Sequence, residues 1–217
     1  MKKTGILFDL DGTLWDSSES VMNSWNEVVD KQPDFHKKGT VDDMMALMGK
    51  TMEEIAYIYF DTVSKERAME LMTLCTDHEN TYIREHGGIL MPKLEETLKI
   101  LSEKYFLAVV SNCQCGYIEA FMEYHKLEQY FSDHEDFGST QMPKADNIRL
   151  VVERNQLDTA YYVGDILGDY LAAEAAGVPF IHAAYGYGEV PQASYRIEAF
   201  EELPALLDKI LSKDGQV

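Results

Sequence analysis

Apolar residues along the chain follow two kinds of pattern, which occupy different stretches. Short continuous apolar runs occur at Ile6-Leu7-Phe8, Phe106-Leu107-Ala108-Val109-Val110, Tyr161-Tyr162-Val163 and Phe180-Ile181. Their length and their β-branched or aromatic content fit strands buried on both faces. The first run ends in Asp9-Leu10-Asp11-Gly12-Thr13, a tight glycine turn, so strand one stops at Asp9. Helical spacing appears in Leu94, Leu98, Ile100 and Leu101 after Pro92, in Ile118, Phe121 and Met122 after Gly116, and in Ile148, Val151 and Val152 after Lys144. A further helix runs from Asp169 through Leu171, Ala172 and Ala175 to Gly177, a C-terminal cap with Pro179 beyond it. Strand and helix alternate from about Pro92 onward, which predicts an α/β fold with a doubly wound, Rossmann-like parallel sheet.

The stretch from Asp16 to about Met91 shows helical periodicity and no convincing strand. Val21, Trp25, Val28 and Val29 fall on one helical face, and so do Ala68, Leu71, Met72 and Cys75. Asp16 with Glu19, and Thr51 with Glu54, have the spacing of an N-cap and its partner glutamate. The chain therefore divides into a core of residues 1–15 and 92–217 and a helical cap of residues 16–91 inserted after the first strand.

Composition narrows the functions. A 46% hydrophobic content over 217 residues is enough to bury a core without staples. The 38 Asp and Glu against 19 Lys and Arg give a formal charge of -19, which repels nucleic-acid phosphates and anionic membranes at long range. Neither is an expected partner. A phosphorylated substrate also has to approach against this field, which calls for a local cation. Cys75, Cys113 and Cys115 form no CxxC pair and read as reduced thiols of a cytoplasmic protein, inert rather than redox-active. The opening Met1-Lys2-Lys3 resembles the start of a leader peptide, but Asp9 and Asp11 interrupt the apolar run that follows.

In an open parallel sheet, ligands bind beyond the carboxyl ends of the strands. The polar residues at those ends are Asp9 and Asp11, Ser111 with Asn112, Lys144 at a helix start, and Asp165 with Asp169. Like charges about 4 Å apart at an effective dielectric of about 20 cost roughly 4 kcal/mol. A hard divalent cation with oxygen ligands relieves that repulsion, and Mg2+ suits a site of carboxylates, waters and a substrate phosphate. Asp9 is placed to attack phosphorus and form an aspartyl-phosphate. Asp11 can protonate the leaving oxygen and then activate water, with Gly12 and Thr13 orienting it.

These residues resemble the four signature motifs of the haloacid dehalogenase superfamily of phosphatases. The DxDGT motif stands as Asp9-Leu10-Asp11-Gly12-Thr13, the second motif as Val109-Val110-Ser111-Asn112, and the third as Lys144. The acidic GDxxxD pattern stands as Gly164-Asp165-Ile166-Leu167-Gly168-Asp169. The resemblance spans nearly the whole chain, the helical insertion included, and is greatest to the branch of phosphoglycolate phosphatases and beta-phosphoglucomutase. It implies that Asp9 and Asp165 bind Mg2+ through side chains, Asp11 through its backbone carbonyl, and that Asp169 supports the metal shell. It also implies a specificity loop at Met48-Gly49-Lys50-Thr51, where Lys50 would reach an anionic group on the substrate; Gly12, Thr13 and Asn112 complete the expected substrate contacts. Two departures stand out: Lys144 is followed by Ala145-Asp146-Asn147-Ile148 where the family often has Lys-Pro-x-Pro-Asp, and Ile166 replaces a frequent Ser or Thr.

The function expected from these residues is hydrolysis of a small phosphorylated metabolite. A sugar phosphomutase is the nearest alternative, since only the phosphoryl acceptor would differ. A non-catalytic phosphate-sensing module is a further one. Nothing in the sequence indicates the oligomeric state.

Overall fold

The computed structural model describes residues 3–214; Met1 and Lys2 of the opening segment, and residues 215–217 of the expected core, lie outside the described residues. The chain runs through β1 (Thr4–Phe8), β2 (Trp15–Asp16), α1 (Ser18–Val29), α2 (Val41–Met45), α3 (Met52–Tyr59), α4 (Lys65–His86) and β3 (Ile89–Leu90). It continues through α5 (Leu94–Ser102), β4 (Phe106–Ser111), α6 (Tyr117–His125), β5 (Asp133–Asp136), α7 (Phe137–Thr140) and α8 (Lys144–Arg154). The last elements are β6 (Thr159–Gly164), α9 (Leu167–Ala176), β7 (Phe180–Ala183), β8 (Tyr195–Ile197) and α10 (Leu203–Asp214).

Six strands form one parallel sheet in the order β5-β4-β1-β6-β7-β8. Because side chains alternate along a strand, Ile6 and Phe8 of β1 join one apolar layer with Val109, Val163 and helix residues Leu98 and Leu207. Leu7 points the other way, into a layer with Val110, Tyr162, Ile148 and Ala173. Both faces are covered, which is why these strands read as unbroken apolar runs.

Two strands escaped the apolar pattern. β5 is Asp133-His134-Glu135-Asp136, an edge strand whose carboxylates are held by Arg154: Nε to Asp133 at 2.7 Å and one Nη to Glu135 at 2.6 Å. β8 is a three-residue strand at the opposite edge. Pairing, rather than hydrophobicity, defines them both.

The segment between β2 and β3 carries α1 to α4, and those two strands frame it as an antiparallel pair in which Trp15 faces Leu90 and Asp16 faces Ile89. That pair corrects the strand-free reading of residues 16–91. Asp16 is also a strand residue rather than an N-cap. Its carboxylate accepts the Ser18 N–H at 3.0 Å and the Ser18 hydroxyl at 2.6 Å, while Glu19 stays exposed. At α3 the expected box is present, with the Thr51 hydroxyl accepting the Glu54 N–H and Glu54 accepting the Thr51 N–H. Val21, Trp25, Val28, Val29, Ala68, Leu71, Met72 and Cys75 are all buried as the periodicity requires. Ile100 and Leu171, read as facing inward, are about half exposed, and α9 instead buries Asp169 and Ala173.

Candidate active site

β4, β1 and β6 are hydrogen-bonded neighbours, so their carboxyl ends lie side by side at the ~4.8 Å spacing of a sheet. Asp9 follows β1 and is fixed by its N–H donating to the Val163 carbonyl at 2.8 Å. Ser111 ends β4, and Asp165 follows the last residue of β6. Asp9, Asp165 and Asp169 each present a carboxylate oxygen, and these atoms lie within 4.8 Å of one another. All three residues are buried.

Lys144 binds this group from the start of α8. Its ammonium donates to Asp9 at 2.7 Å and to Asp169 at 2.6 Å. The other Asp169 oxygen accepts the backbone N–H groups of Asp165 at 3.2 Å and Ile166 at 3.3 Å, so this residue caps α9 and orients Asp165 together. Burial pushes the Asp9 carboxyl well above the usual range, and Asp169 and Asp165 add to the rise against the pull of Lys144. Asp165 is pushed up to about 7, again by burial first and Asp169 second. Burial alone would lower the Lys144 pKa, but the Asp169 and Asp9 charges hold it well above the usual value.

Asp11 stands apart from that cluster. One of its oxygens accepts from the Ser17 hydroxyl at 2.6 Å, the Trp15 indole at 3.0 Å and the Tyr117 hydroxyl at 3.0 Å. Its orientation thus comes from Trp15, Ser17 and Tyr117, not from Gly12 and Thr13. Burial raises its pKa, partly countered by those donors.

Gly12 and Thr13 serve Asp165 instead of the cavity. The Thr13 hydroxyl donates to Asp165 at 3.4 Å and is fully buried. Gly12 has φ +82°, and a Cβ there would meet an Asp165 oxygen at 2.3 Å, so both the turn and the close approach require glycine. Neither residue lines the cavity above the carboxylates.

That cavity, with about 520 Å³ of empty space partly open to solvent, separates the sheet edge from α1 to α4. Asp9, Asp11, Ser111, Asn112, Lys144 and Lys50 line it. The Asn112 amide donates to the Gly49 carbonyl at 3.3 Å, and a Cβ on Gly49 would meet the Ile166 side chain at 2.2 Å. The Gly49 loop is therefore seated on Asn112 and Ile166, so the departure at position 166 gives an apolar seat. Lys50 is partly exposed and its ammonium donates to the Ala46 carbonyl at 3.1 Å.

The family model for haloacid dehalogenase-like hydrolases matches residues 6–183, and this span carries every group described above. The chain belongs to the haloacid dehalogenase-like hydrolase family. A phosphoglycolate phosphatase of Agrobacterium fabrum is 29% identical over 95% of this chain and 94% of its own length. A haloacid dehalogenase-like family hydrolase of Streptococcus pneumoniae shares the fold with a TM-score of 0.81 at 24% identity, over 94% of this chain and 98% of its own. The CbbY protein of Rhodobacter sphaeroides, crystallised with phosphate, superimposes with a TM-score of 0.78 at 21% identity, over 96% of this chain and all of its own.

Several side chains at this hydrolase site were not singled out by their pattern. Tyr117 and Ser17 hold Asp11, and Tyr187 donates its backbone N–H to Asp165 at 2.7 Å. Glu79 is buried on α4 and lines the same cavity, with Trp25 and Gln114 beside it. A usable signal existed for Glu79: it stands four residues after Cys75 and four before Ile83, a carboxylate within an apolar helical stripe.

Proposed function

We propose that this hydrolase is a magnesium-dependent phosphatase acting on a small phosphomonoester, with Asp9 as nucleophile. The observation that carries the reading is the shared ammonium: one Lys144 nitrogen bonds both Asp9 and Asp169 while Asp165 completes the same cluster. Three carboxylates against one ammonium would leave two negative charges in a buried space once ionised; the raised Asp9 and Asp165 pKa values reflect that crowding, which a divalent cation with oxygen ligands would relieve. Asp9 and Asp165 would hold Mg2+ through their side chains and Asp11 through its backbone carbonyl, with Asp169 supporting the shell. Bound there, Mg2+ supplies charge neutralisation and polarisation of the phosphoryl oxygens.

The protein's own groups account for the remaining steps. Lys144 aims the Asp9 oxygen and pulls its carboxyl toward the ionised form, against burial and the Asp169 charge. That oxygen attacks phosphorus, the bond from phosphorus to the ester oxygen breaks, and an aspartyl-phosphate forms. Asp11, whose raised pKa favours the protonated form, gives its proton to the departing oxygen. It then takes a proton from the water that attacks the aspartyl-phosphate, releasing phosphate and restoring Asp9. Ser111 and Asn112 contact the phosphoryl oxygens from the end of β4. Residues 16–91 act as a cap over the sheet edge, excluding water during the transfer, and Lys50 meets the substrate from the Gly49 loop. The activity named for the Agrobacterium relative supports a small phosphomonoester as substrate. The free thiols Cys75, Cys113 and Cys115 support a reducing, cytoplasmic setting.

A panel of phosphorylated metabolites assayed with Mg2+, with a chelator and with Asp9→Asn tests this reading. Release of phosphate that needs both the metal and Asp9 is the expected result. Silence across the panel, or undiminished release by the variant, refutes it.

A further inference from the structure

We infer that Glu79 selects the leaving group: it accepts a hydrogen bond from a hydroxyl or ammonium on the alcohol side of the ester and turns away leaving groups that end in a carboxylate. The inference rests on the phosphatase reading of the same cavity. It concerns a carboxylate that α4 contributes to that cavity and that the phosphatase reading does not use.

Glu79 is only 3% exposed, yet it lines the same cavity as Asp9, Asp11 and Lys144. One carboxylate oxygen accepts from the Trp25 indole N–H and the other from the Gln114 amide at 2.7 Å. The Gln114 amide is itself tied to the Asn80 side chain at 3.2 Å. The carboxylate plane is thus fixed before any ligand arrives, and a donor on each oxygen favours the ionised form. Among the described residues its remaining lone pairs have no partner, and no Lys, Arg or His forms an ion pair with it. Burial pushes its pKa up to about 7, with the Asp11 charge adding to the rise against the hydrogen bonds of Gln114 and Trp25.

Apart from Lys50, the described residues of the helical wall offer nothing that would hold an anionic leaving group. Val21, Met44, Leu47, Met52 and Ile55 make it apolar, and Lys50 is the one lysine or arginine lining its helical side. The Lys50 ammonium is turned to the Ala46 carbonyl of its own turn. A leaving group ending in a carboxylate would bring a second negative charge toward Glu79 in a dry pocket. One ending in a hydroxyl or ammonium supplies the missing donor, and an ammonium also the missing charge.

The test compares esters of one size in the presence of Mg2+: 2-hydroxyethyl phosphate, 2-aminoethyl phosphate and phosphoglycolate, with acetyl phosphate as a check that the enzyme transfers phosphoryl groups at all. For the wild-type chain, kcat/KM for the hydroxyl or amino ester exceeds that for phosphoglycolate by about tenfold or more. In Glu79→Gln that ratio falls to within about threefold of unity, mainly through KM, which a merely structural role would not produce. Preference for the amino ester assigns the effect to charge, and equal use of the two assigns it to hydrogen bonding. Turnover of acetyl phosphate with phosphoglycolate as the preferred ester overturns the role of Glu79 and leaves the phosphatase reading standing. So does a Glu79→Gln enzyme that loses the same factor on all esters. Should the variant fail to fold, the wild-type order of esters decides alone. Turnover of acetyl phosphate with none of the three esters overturns the role of Glu79 alone, whereas no turnover of acetyl phosphate or of any ester counts against the phosphatase reading as well.

Discussion

On the sheet side of the cavity, Asp9 and Asp169 share the Lys144 ammonium at 2.7 and 2.6 Å; on the helical side, Glu79 is just as buried but meets only the neutral donors of Trp25 and Gln114. The sheet side compensates charge with charge, and the excess it leaves is negative and clustered within 4.8 Å, as a divalent cation requires. The helical side leaves one carboxylate without a counter-ion in apolar surroundings, where only an incoming molecule can complete it. The comparison separates two tasks. On the proposed reading, phosphoryl chemistry falls to strand ends that the sheet holds in fixed register, and selectivity to the buried Glu79 of the helical segment.

The largest effect should come from Asp9→Asn, which removes the proposed nucleophile and leaves its neighbours in place. Turnover is expected to fall roughly 10⁴-fold or more, with far-ultraviolet circular dichroism unchanged. A fall of less than about tenfold would move the nucleophile elsewhere and dissolve the contrast.

Lys144→Met should be next, since it strips the cation from two buried carboxylates at once. Loss of one partner of a buried ion pair costs about 3–5 kcal/mol, read as a lower urea midpoint without added metal. A midpoint unchanged from wild type would mean that the sheet side does not depend on paired charge.

The helical side makes a prediction in pH. The Glu79 carboxyl is raised from 4.5 to about 7 in the folded protein, so the folded state holds its proton more tightly than the unfolded chain. This group's contribution to stability is therefore full below about pH 4.5 and lost as pH rises through about 7, a change of about 3 kcal/mol. Relative to wild type, Glu79→Gln should gain stability across that window and level off above it. Urea melts at stepped pH check this, and parallel wild-type and variant curves would show that Glu79 has a counter-charge after all.

Lys50→Met should have the smallest effect. Its ammonium is partly exposed and already bonded to Ala46, so a rise in KM of about threefold to tenfold with kcat unchanged is expected. A drop in kcat would place Lys50 in the transition state instead.

Most of the parallel sheet, and the groups at its edge, could be read from the sequence for one reason: strands covered on both faces announce themselves as apolar runs. The polar residues that interrupt the ends of those runs, Asp9, Ser111 and Asp165, stand out by contrast. β5 could not be read that way, because Asp133 and Glu135 belong to an edge strand stabilised by Arg154. β2 and β3 are two residues each, too short for a period to show. Apart from Glu79, the parts of the site that went unread are groups that act through others. Ser17 and Tyr117 orient Asp11, Thr13 supports Asp165, and Tyr187 reaches Asp165 from 22 residues along the chain. Their hydroxyls and amides have no spacing rule, so only tertiary packing shows what they hold.

The central claim is that the Asp9 oxygen itself becomes bonded to phosphorus. The direct measurement is reductive trapping: the enzyme is quenched with borohydride during steady-state turnover with Mg2+, which converts an aspartyl-phosphate to homoserine, and the peptide spanning residues 4–15 is sequenced by mass spectrometry. The account predicts homoserine at position 9, absent when substrate is withheld. Reduction at another carboxylate, or at none while phosphate is being released, would contradict it.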